Sequence, residues 1–341
     1  MVHPKSYVTI HAMPSASNQF RYFLEYLALS FAFVFIPKVP RPLLLFWSKL
    51  LGSLAFLVHK DGRRTAICNL HAAFPGRYTD EEIEDIAHRC YRSWARTYLD
   101  QFWTKRLTLE NFGEYICYQT SPGLCLDEMR KEGAIWMTPH YGNFEWGAAA
   151  LAFLQIHYTA IAQPFKNPKL TPIFLKNREH LGHHIIPQEK AMLKLLRVLN
   201  KGGHAAFLPD LTVPPDKTAT IIRVFGFKVS VTPLGPFLAQ RTSSPIVCGL
   251  TIPLEDGSYL GYGFPPFTVG KEESVHDVAQ ACWDVIEPVI ASHPEHWLWM
   301  YKHFRFRPEL DGDAYPPYSS RSPRFDELEA SLASNRSDHA P

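Results

Sequence analysis

Residues Ala134–Gln155 read AIWMTPHYGNFEWGAAALAFLQ. Ala134–Thr138 is an apolar run that stops at Pro139, Gly142 and Asn143 supply turn chemistry, and Trp146–Leu154 continues as an apolar helix pattern. The expected unit is a buried strand, a sharp turn carrying His140, and a helix that opens with Glu145. A histidine and a carboxylate five positions apart across such a turn can meet side chain to side chain. The carboxylate then holds the imidazole in the tautomer that takes a proton from a hydroxyl. No serine or cysteine stands beside the pair, so the nucleophile is expected to belong to the substrate. The competing reading is a buried histidine satisfied by a backbone carbonyl.

Spacing alone is weak. With 16 His and 33 acidic residues in the chain, roughly 1.5 His-x4-Asp/Glu pairs arise by chance. Two occur, His140–Glu145 and His184–Glu189. The second contains Pro187 and has no predicted strand before it, so context singles out the first.

The chain has 341 residues, enough for one large core or two closely joined ones, and its net charge of +2 gives no case for nucleic acid. Basic residues cluster at Lys60, Arg63 and Arg64, at Lys166, Lys169, Lys176 and Arg178, and at Lys302, Arg305 and Arg307. Such clusters are solvated faces or sites for anionic headgroups and phosphorylated ligands. The six cysteines contain no Cys-x2-Cys pair, which fits reduced cytosolic thiols rather than a disulfide framework or zinc site.

Two apolar runs lie near the N-terminus, FRYFLEYLALSFAFVFI (Phe20–Ile36) and PLLLFWSKLLGSLAFLV (Pro42–Val58), joined by the basic linker Lys38–Arg41. Each is about 17 residues, the lower limit for crossing a bilayer, and each carries one interior charge, Glu25 or Lys49. No cleavage site of the secretory kind precedes them. They are read as a membrane attachment, either one marginal span or a hairpin in the interface, with a buried helix pair as the alternative. Basic residues after the second run place the remainder on the cytoplasmic side.

Thr79-Asp80-Glu81-Glu82 is a capping box that opens a helix with Ile83, Ile86, Ala87, Cys90 and Tyr91 on one face. Beyond residue 130, strands are expected at 134–138, 204–208, 221–225, 245–252 and 258–263, and helices at 144–155, 188–200, 232–242 and 274–291. This alternation predicts an α/β fold with a central mixed sheet flanked by helices. Ligands in such sheets bind beyond the carboxyl ends of strands, where His140 and Asp210 both fall. The expected organisation is an extension at 1–19, membrane-associated helices at 20–60, an α/β domain at 61–310, and a mostly disordered tail at 311–341.

Seven blocks in order carry a resemblance: the apolar anchor, RRTAICNLHAAFP (63–75), PHYGNFEWG (139–147), QPFKNPKLTPIFLKNREHLG (163–182), FLPDLT (207–212), VFGFKVSVTPLGPFLAQRT (224–242) and WLWMYKHFRFRP (297–308). The chain resembles the late acyltransferases of lipid A biosynthesis, a family that also includes phosphatidylinositol mannoside acyltransferases. The resemblance implies a glycerolipid acyltransferase-like fold at the bacterial inner membrane. It implies acyl transfer from an acyl carrier protein thioester to a hydroxyl of a lipid A precursor. Other acceptors (a phosphatidylinositol mannoside, an ornithine or glycerol lipid) or a lipid-binding protein without turnover are the rivals. His140 is then the general base and Glu145 orients it. Arg178, Asp210, Asn143 and Lys166 are the expected substrate-binding residues. Arg178 would hold a phosphate, stabilise negative charge, or pair with Asp210. Where the family usually has Gln after the Asp of the FLPD block, this chain has Leu211. Oxyanion donors are sought in the Gly142–Asn143 backbone or in Arg178, and the acyl slot around Phe144, Trp146 and the N-terminal helices. There is no Gly-x-Ser-x-Gly elbow. No cofactor or metal is implied, since His180, His183 and His184 lack partners at ligand spacing.

Overall fold

The computed structural model describes residues 16–309 and 314–337. Two apolar helices come first, α1 (Ala16–Phe35) and α2 (Arg41–Val58), then α3 (Lys60–Ala73), α4 (Asp80–Trp103) and the short α5 (Phe112–Tyr115). Strands and helices then alternate: β1 (Ile116–Thr120), α6 (Leu126–Glu132), β2 (Ile135–Met137), α7 (Phe144–Phe153), β3 (Tyr158–Ile161), α8 (Thr171–Glu179), β4 (His184–Ile186), α9 (Ala191–Leu199) and β5 (His204–Phe207). The chain continues through β6 (Thr220–Val224), β7 (Phe227–Val231), α10 (Leu234–Thr242), β8 (Ile246–Pro253), β9 (Tyr259–Gly263), α11 (Val275–Ser292), β10 (Phe306–Arg307), β11 (Ser320–Arg321) and α12 (Pro323–Ser337).

Seven strands form one mixed sheet in the order β1-β9-β8-β2-β5-β3-β4. All neighbours are parallel except β8 and β9. Side chains alternate across it. Ile135 and Met137 of β2, with Ile246 and Cys248 of β8, face a core supplied by α9, α10 and α11 through Leu195, Leu238 and Ile286. Trp136 and Val247 face the opposite way, against Met129 of α6 and Leu151 of α7. The sheet is therefore covered on both sides, as its apolar strands require. Every strand and helix expected beyond residue 130 is present within a few residues. One placement differs: β6, expected in the central sheet, pairs with β7 in a separate antiparallel hairpin.

Thr79 and Glu82 form the reciprocal capping box at the start of α4. Helix α2 lies along α4 through Leu44, Ser48, Gly52 and Phe56, spaced at one residue per turn. A Cβ on Gly52 would fall 2.5 Å from the Arg92 Cα, so glycine is needed for the two backbones to approach. The outer face of α2 leaves Phe46, Trp47, Leu50, Leu54 and Leu57 exposed, and α1 leaves Phe20, Phe31 and Val34 exposed. Both helices are long and apolar enough to cross a membrane by length and composition.

Residues 311–341, expected to be mostly disordered, contain α12. Its Phe325 is fully buried, with Leu328, against Ala219 and Ile221. Charge and Ser/Pro content mask this contact in the sequence, because two or three apolar residues suffice to dock a helix onto an existing core. Most of the expected 1–19 extension lies outside the described residues.

Candidate active site

β2 and β5 are adjacent and parallel, with Met137 opposite Phe207. The chain leaves both strands at the same sheet edge, so the turns carrying His140 and Asp210 lie side by side. The His140 Nδ1 is 2.8 Å from Asp210 Oδ1, and the His140 backbone N–H donates to Asp210 Oδ2 at 2.8 Å. The Trp297 indole N–H donates to Oδ2 at 2.9 Å. Asp210 is buried, and the His140 ring is mostly so. With Nδ1–H donating to the carboxylate, the imidazole lone pair sits on Nε2.

Burial pushes the His140 imidazole towards the neutral form, but the Asp210 charge and hydrogen bond outweigh it, and the pKa is raised above its ordinary 6.5. Asp210 shows the reciprocal effect: burial raises its carboxyl, and the attraction of His140 more than offsets this, leaving it lowered. His303 closes the far side of this group, with Nε2 2.8 Å from the Leu298 carbonyl and its ring stacked on Trp297 at 3.9 Å. Burial drives His303 down to about 4, so it is neutral.

Glu145 takes a different partner from the one expected. Asn143 caps α7 by accepting from the Trp146 N–H at 3.0 Å, which puts Glu145 in the first turn. Its carboxylate meets the Arg178 guanidinium of α8 through both oxygens, with Nε–Oε2 at 3.2 Å and a closer Nη2–Oε1 contact. Glu145 raises the Arg178 pKa, and its charge still reaches His140. The hydrogen-bonded partner of His140 is thus Asp210, and the ion-pair partner of Arg178 is Glu145 rather than Asp210.

Three further sequence expectations change. Asn143 is fully buried and used within the protein, its Oδ1 on the Trp146 N–H and its Nδ2 on Asp100 at 3.1 Å, so it does not face a substrate. The N–H groups of Gly142 and Asn143 are bound to the carbonyls of His296 (2.8 Å) and Thr251 (3.2 Å), which withdraws them as oxyanion donors. Gly142 has φ of 52°, and a Cβ there would fall 1.8 Å from the Thr251 oxygen. Lys166 is exposed and does not line the cavity described next. Its neighbour Asn167 is buried, and its amide donates to Glu25 at 2.9 Å, which gives the interior charge of α1 a partner. His183, from the histidine group, is 2.9 Å from the Ala148 carbonyl through Nε2 and is lowered by burial to about 4.

His140, Glu145 and Arg178 open onto a cavity of ≈ 760 Å³. It runs between α7 and the sheet, past Ala148, Leu151, Trp136 and Val247. Gly249, Gly261 and Gly263 lie along the sheet side and Gly147 on the helix side. Leu124, Leu151, Leu154 and Leu250 add to a lining that is mostly apolar. Among the described residues no serine or cysteine lines it. Leu211 does line it, at the position after Asp210.

Sequence reasoning missed Trp297 as the third donor to the Asp210 turn, and Trp94, whose ring stacks on His140 at 6.4 Å. Trp94 was legible in part: it continues the apolar stripe of α4 from Ile83, Ile86 and Cys90.

The chain is 22% identical over 301 residues to the lipid A biosynthesis palmitoleoyltransferase of Escherichia coli K12, covering 86% of this chain and 95% of that protein. It is 21% identical over 296 residues to the lipid A biosynthesis lauroyltransferase of the same organism, covering 85% and 94%. A phosphatidylinositol mannoside acyltransferase of Mycobacterium tuberculosis H37Rv is 28% identical over 173 residues, 48% of this chain and 52% of that one. The profile of the bacterial lipid A biosynthesis acyltransferase family matches residues 13–306. The chain belongs to this acyltransferase family.

Proposed function

We propose that this protein moves a fatty acyl chain from an acyl thioester, carried on acyl carrier protein, to a hydroxyl of a lipid A precursor. The observation that carries the reading is the His140 imidazole, backed by Asp210 and facing an apolar slot that no serine or cysteine lines among the described residues. In this mechanism Nε2 removes the proton from the acceptor hydroxyl as its oxygen attacks the thioester carbonyl. Asp210 holds the tautomer and offsets the charge of the imidazolium that forms. Arg178, fixed by Glu145, faces the negative charge that develops on the carbonyl oxygen, and the thiolate leaves with the carrier. The proton returns from Nε2 to that thiolate. The acyl chain lies in the slot between α7 and the glycine side of the sheet.

The proposed setting is the cytoplasmic face of the inner membrane. The stripe that packs α2 on α4 leaves its apolar outer face for lipid, which supports α2 lying in the interface and α1 entering the bilayer. A glycerolipid acyltransferase-like fold and the domain limits 20–60 and 61–310 belong to the same proposal.

The test is reconstitution in lipid with acyl carrier protein thioesters and a lipid A precursor, read by mass spectrometry of the product. One added acyl chain, lost in His140→Ala, is expected. Transfer to a phosphatidylinositol mannoside, ornithine or glycerol lipid instead would replace the acceptor. Lipid binding that survives His140→Ala, with no transfer to any lipid extract, would overturn the reading.

A further inference from the structure

The His140 turn is held by one face of α4. Trp94, Thr97 and Asp100 stand at successive spacings of three, so each neighbours the next along the helix. Trp94 stacks on the His140 ring. The Thr97 hydroxyl donates to the Gly142 carbonyl at 2.9 Å. Asp100 accepts from Asn143 Nδ2 at 3.1 Å. Three consecutive contacts on α4 thus meet residues 140, 142 and 143.

Asp100 is fully buried, and its carboxylate also gathers groups from elsewhere. Arg41, the first residue of α2, binds it through both Nη atoms. The Tyr259 hydroxyl of β9 donates to Oδ2. Arg96 Nε stands 3.8 Å from Oδ2, with its guanidinium over the Tyr259 ring at 4.1 Å. Arg41 extends over the Trp146 ring at 4.8 Å, and the Trp146 indole donates to the Asp100 carbonyl at 3.0 Å. One carboxylate therefore joins the start of the apolar helix α2, the sheet, and the cap of α7. A group so expensive to bury carries connections that an apolar side chain of the same size cannot make.

We propose that Asp100 is a positioning residue for the reaction: through Asn143 it holds the turn that aims His140, and through Arg41 it ties that turn to the seating of α2. This rests on His140 being the base. Loss of the clamp then affects the transition state more than donor binding, because the slot is built by other residues.

The test compares Asp100→Asn, Tyr259→Phe and Arg41→Lys with His140→Ala in the reconstituted full-length protein, with kcat, KM for the thioester and thermal unfolding measured on each. Asp100→Asn is expected to lower kcat at least tenfold, with KM within about twofold. Tyr259→Phe removes one hydroxyl and Arg41→Lys the bidentate fork; each is expected to lower kcat severalfold with KM retained, and these two decide the matter if Asp100→Asn does not fold. A purely structural role would lower the unfolding temperature but leave kcat per folded molecule within twofold in both milder variants, which overturns the inference. If His140→Ala itself keeps turnover, the assignment of the base fails instead.

Discussion

His140 and Asp210 each stand three residues beyond the paired Met137 and Phe207 on neighbouring parallel strands, and their side chains meet at 2.8 Å. Equal offsets from a paired position bring two turns to the same height above the sheet edge. Seventy residues of sequence separation disappear in one strand spacing.

Asp210→Asn keeps the shape but removes the charge that fixes the Nδ1–H tautomer and offsets the imidazolium. The expected loss in kcat is about 10²- to 10⁴-fold, the range of a positioned general base. Steady-state rates with a thioester donor measure it. A loss below twofold would show that Asp210 does not serve His140.

The pH dependence follows from the raised His140 pKa. In the proposed mechanism His140 must be neutral to act as the base, so kcat is expected to fall as pH drops through a value above 6.5. Asp210→Asn removes the group that raises it and moves this acid limb to lower pH. For folding the sign is opposite: the His140 share of the pair's stabilisation is full below 6.5 and is lost as pH rises through the raised value, while the Asp210 share is lost in acid as pH falls through its lowered value. A kcat profile and urea midpoints at several pH values check the two halves separately, and an acid limb unmoved in Asp210→Asn would contradict both.

Glu145 and Arg178 act as one unit. Glu145→Gln frees a guanidinium that the site holds in a fixed fork, and Arg178→Lys loses the paired contact because an ammonium is a point charge. Each is expected to lower kcat/KM at least tenfold, and the double variant less than the product of the singles. Strict multiplicativity in the double-mutant cycle would show the pair to be uncoupled.

The proposed acyl slot predicts that chain length is set where the glycines lie. A Cβ on Gly261 would meet Cys117 O and Tyr118 Cβ at 3.7 Å, ordinary contact, so the site accepts a side chain that then projects into the slot. Gly261→Val should discriminate against long donors by about fourfold in kcat/KM per excluded methylene, from about 0.8 kcal/mol each. A series of thioesters of rising length reads this directly; equal losses at every length would place the acyl chain elsewhere.

Phe325 docks α12 onto β6 through a fully buried ring. Phe325→Ala should destabilise the protein by about 3–5 kcal/mol, the usual cost of emptying a buried aromatic site. Chemical denaturation measures it. An effect under about 1 kcal/mol would mean that the segment detaches without consequence for the domain.

Much of the architecture was legible. The strand at 134–138, the helix after it and the capping box at Thr79 stand where hydrophobic period and turn chemistry put them, because those signals are local. The strands Tyr158–Ile161 and His184–Ile186 were not seen. Each is three or four residues long, too short for a period, and is a strand because its neighbours supply the ladder. Asp100 was equally hidden, since an aspartate near a helix end looks like solvent-facing charge until its partners from α2, β9 and the His140 turn are in place.

The sequence by itself determined the strand–turn–helix around His140. Pro139 ends the strand, Gly142 takes a conformation that a Cβ would forbid, and Asn143 caps the helix, all within five residues. Which carboxylate serves the imidazole was decided by tertiary structure. Glu145 is close in sequence, but the Arg178 guanidinium from α8 claims both its oxygens. Asp210 is far in sequence, yet the pairing of β2 with β5 places it against Nδ1, where hydrogen bonds from His140 and Trp297 make a buried charge tenable.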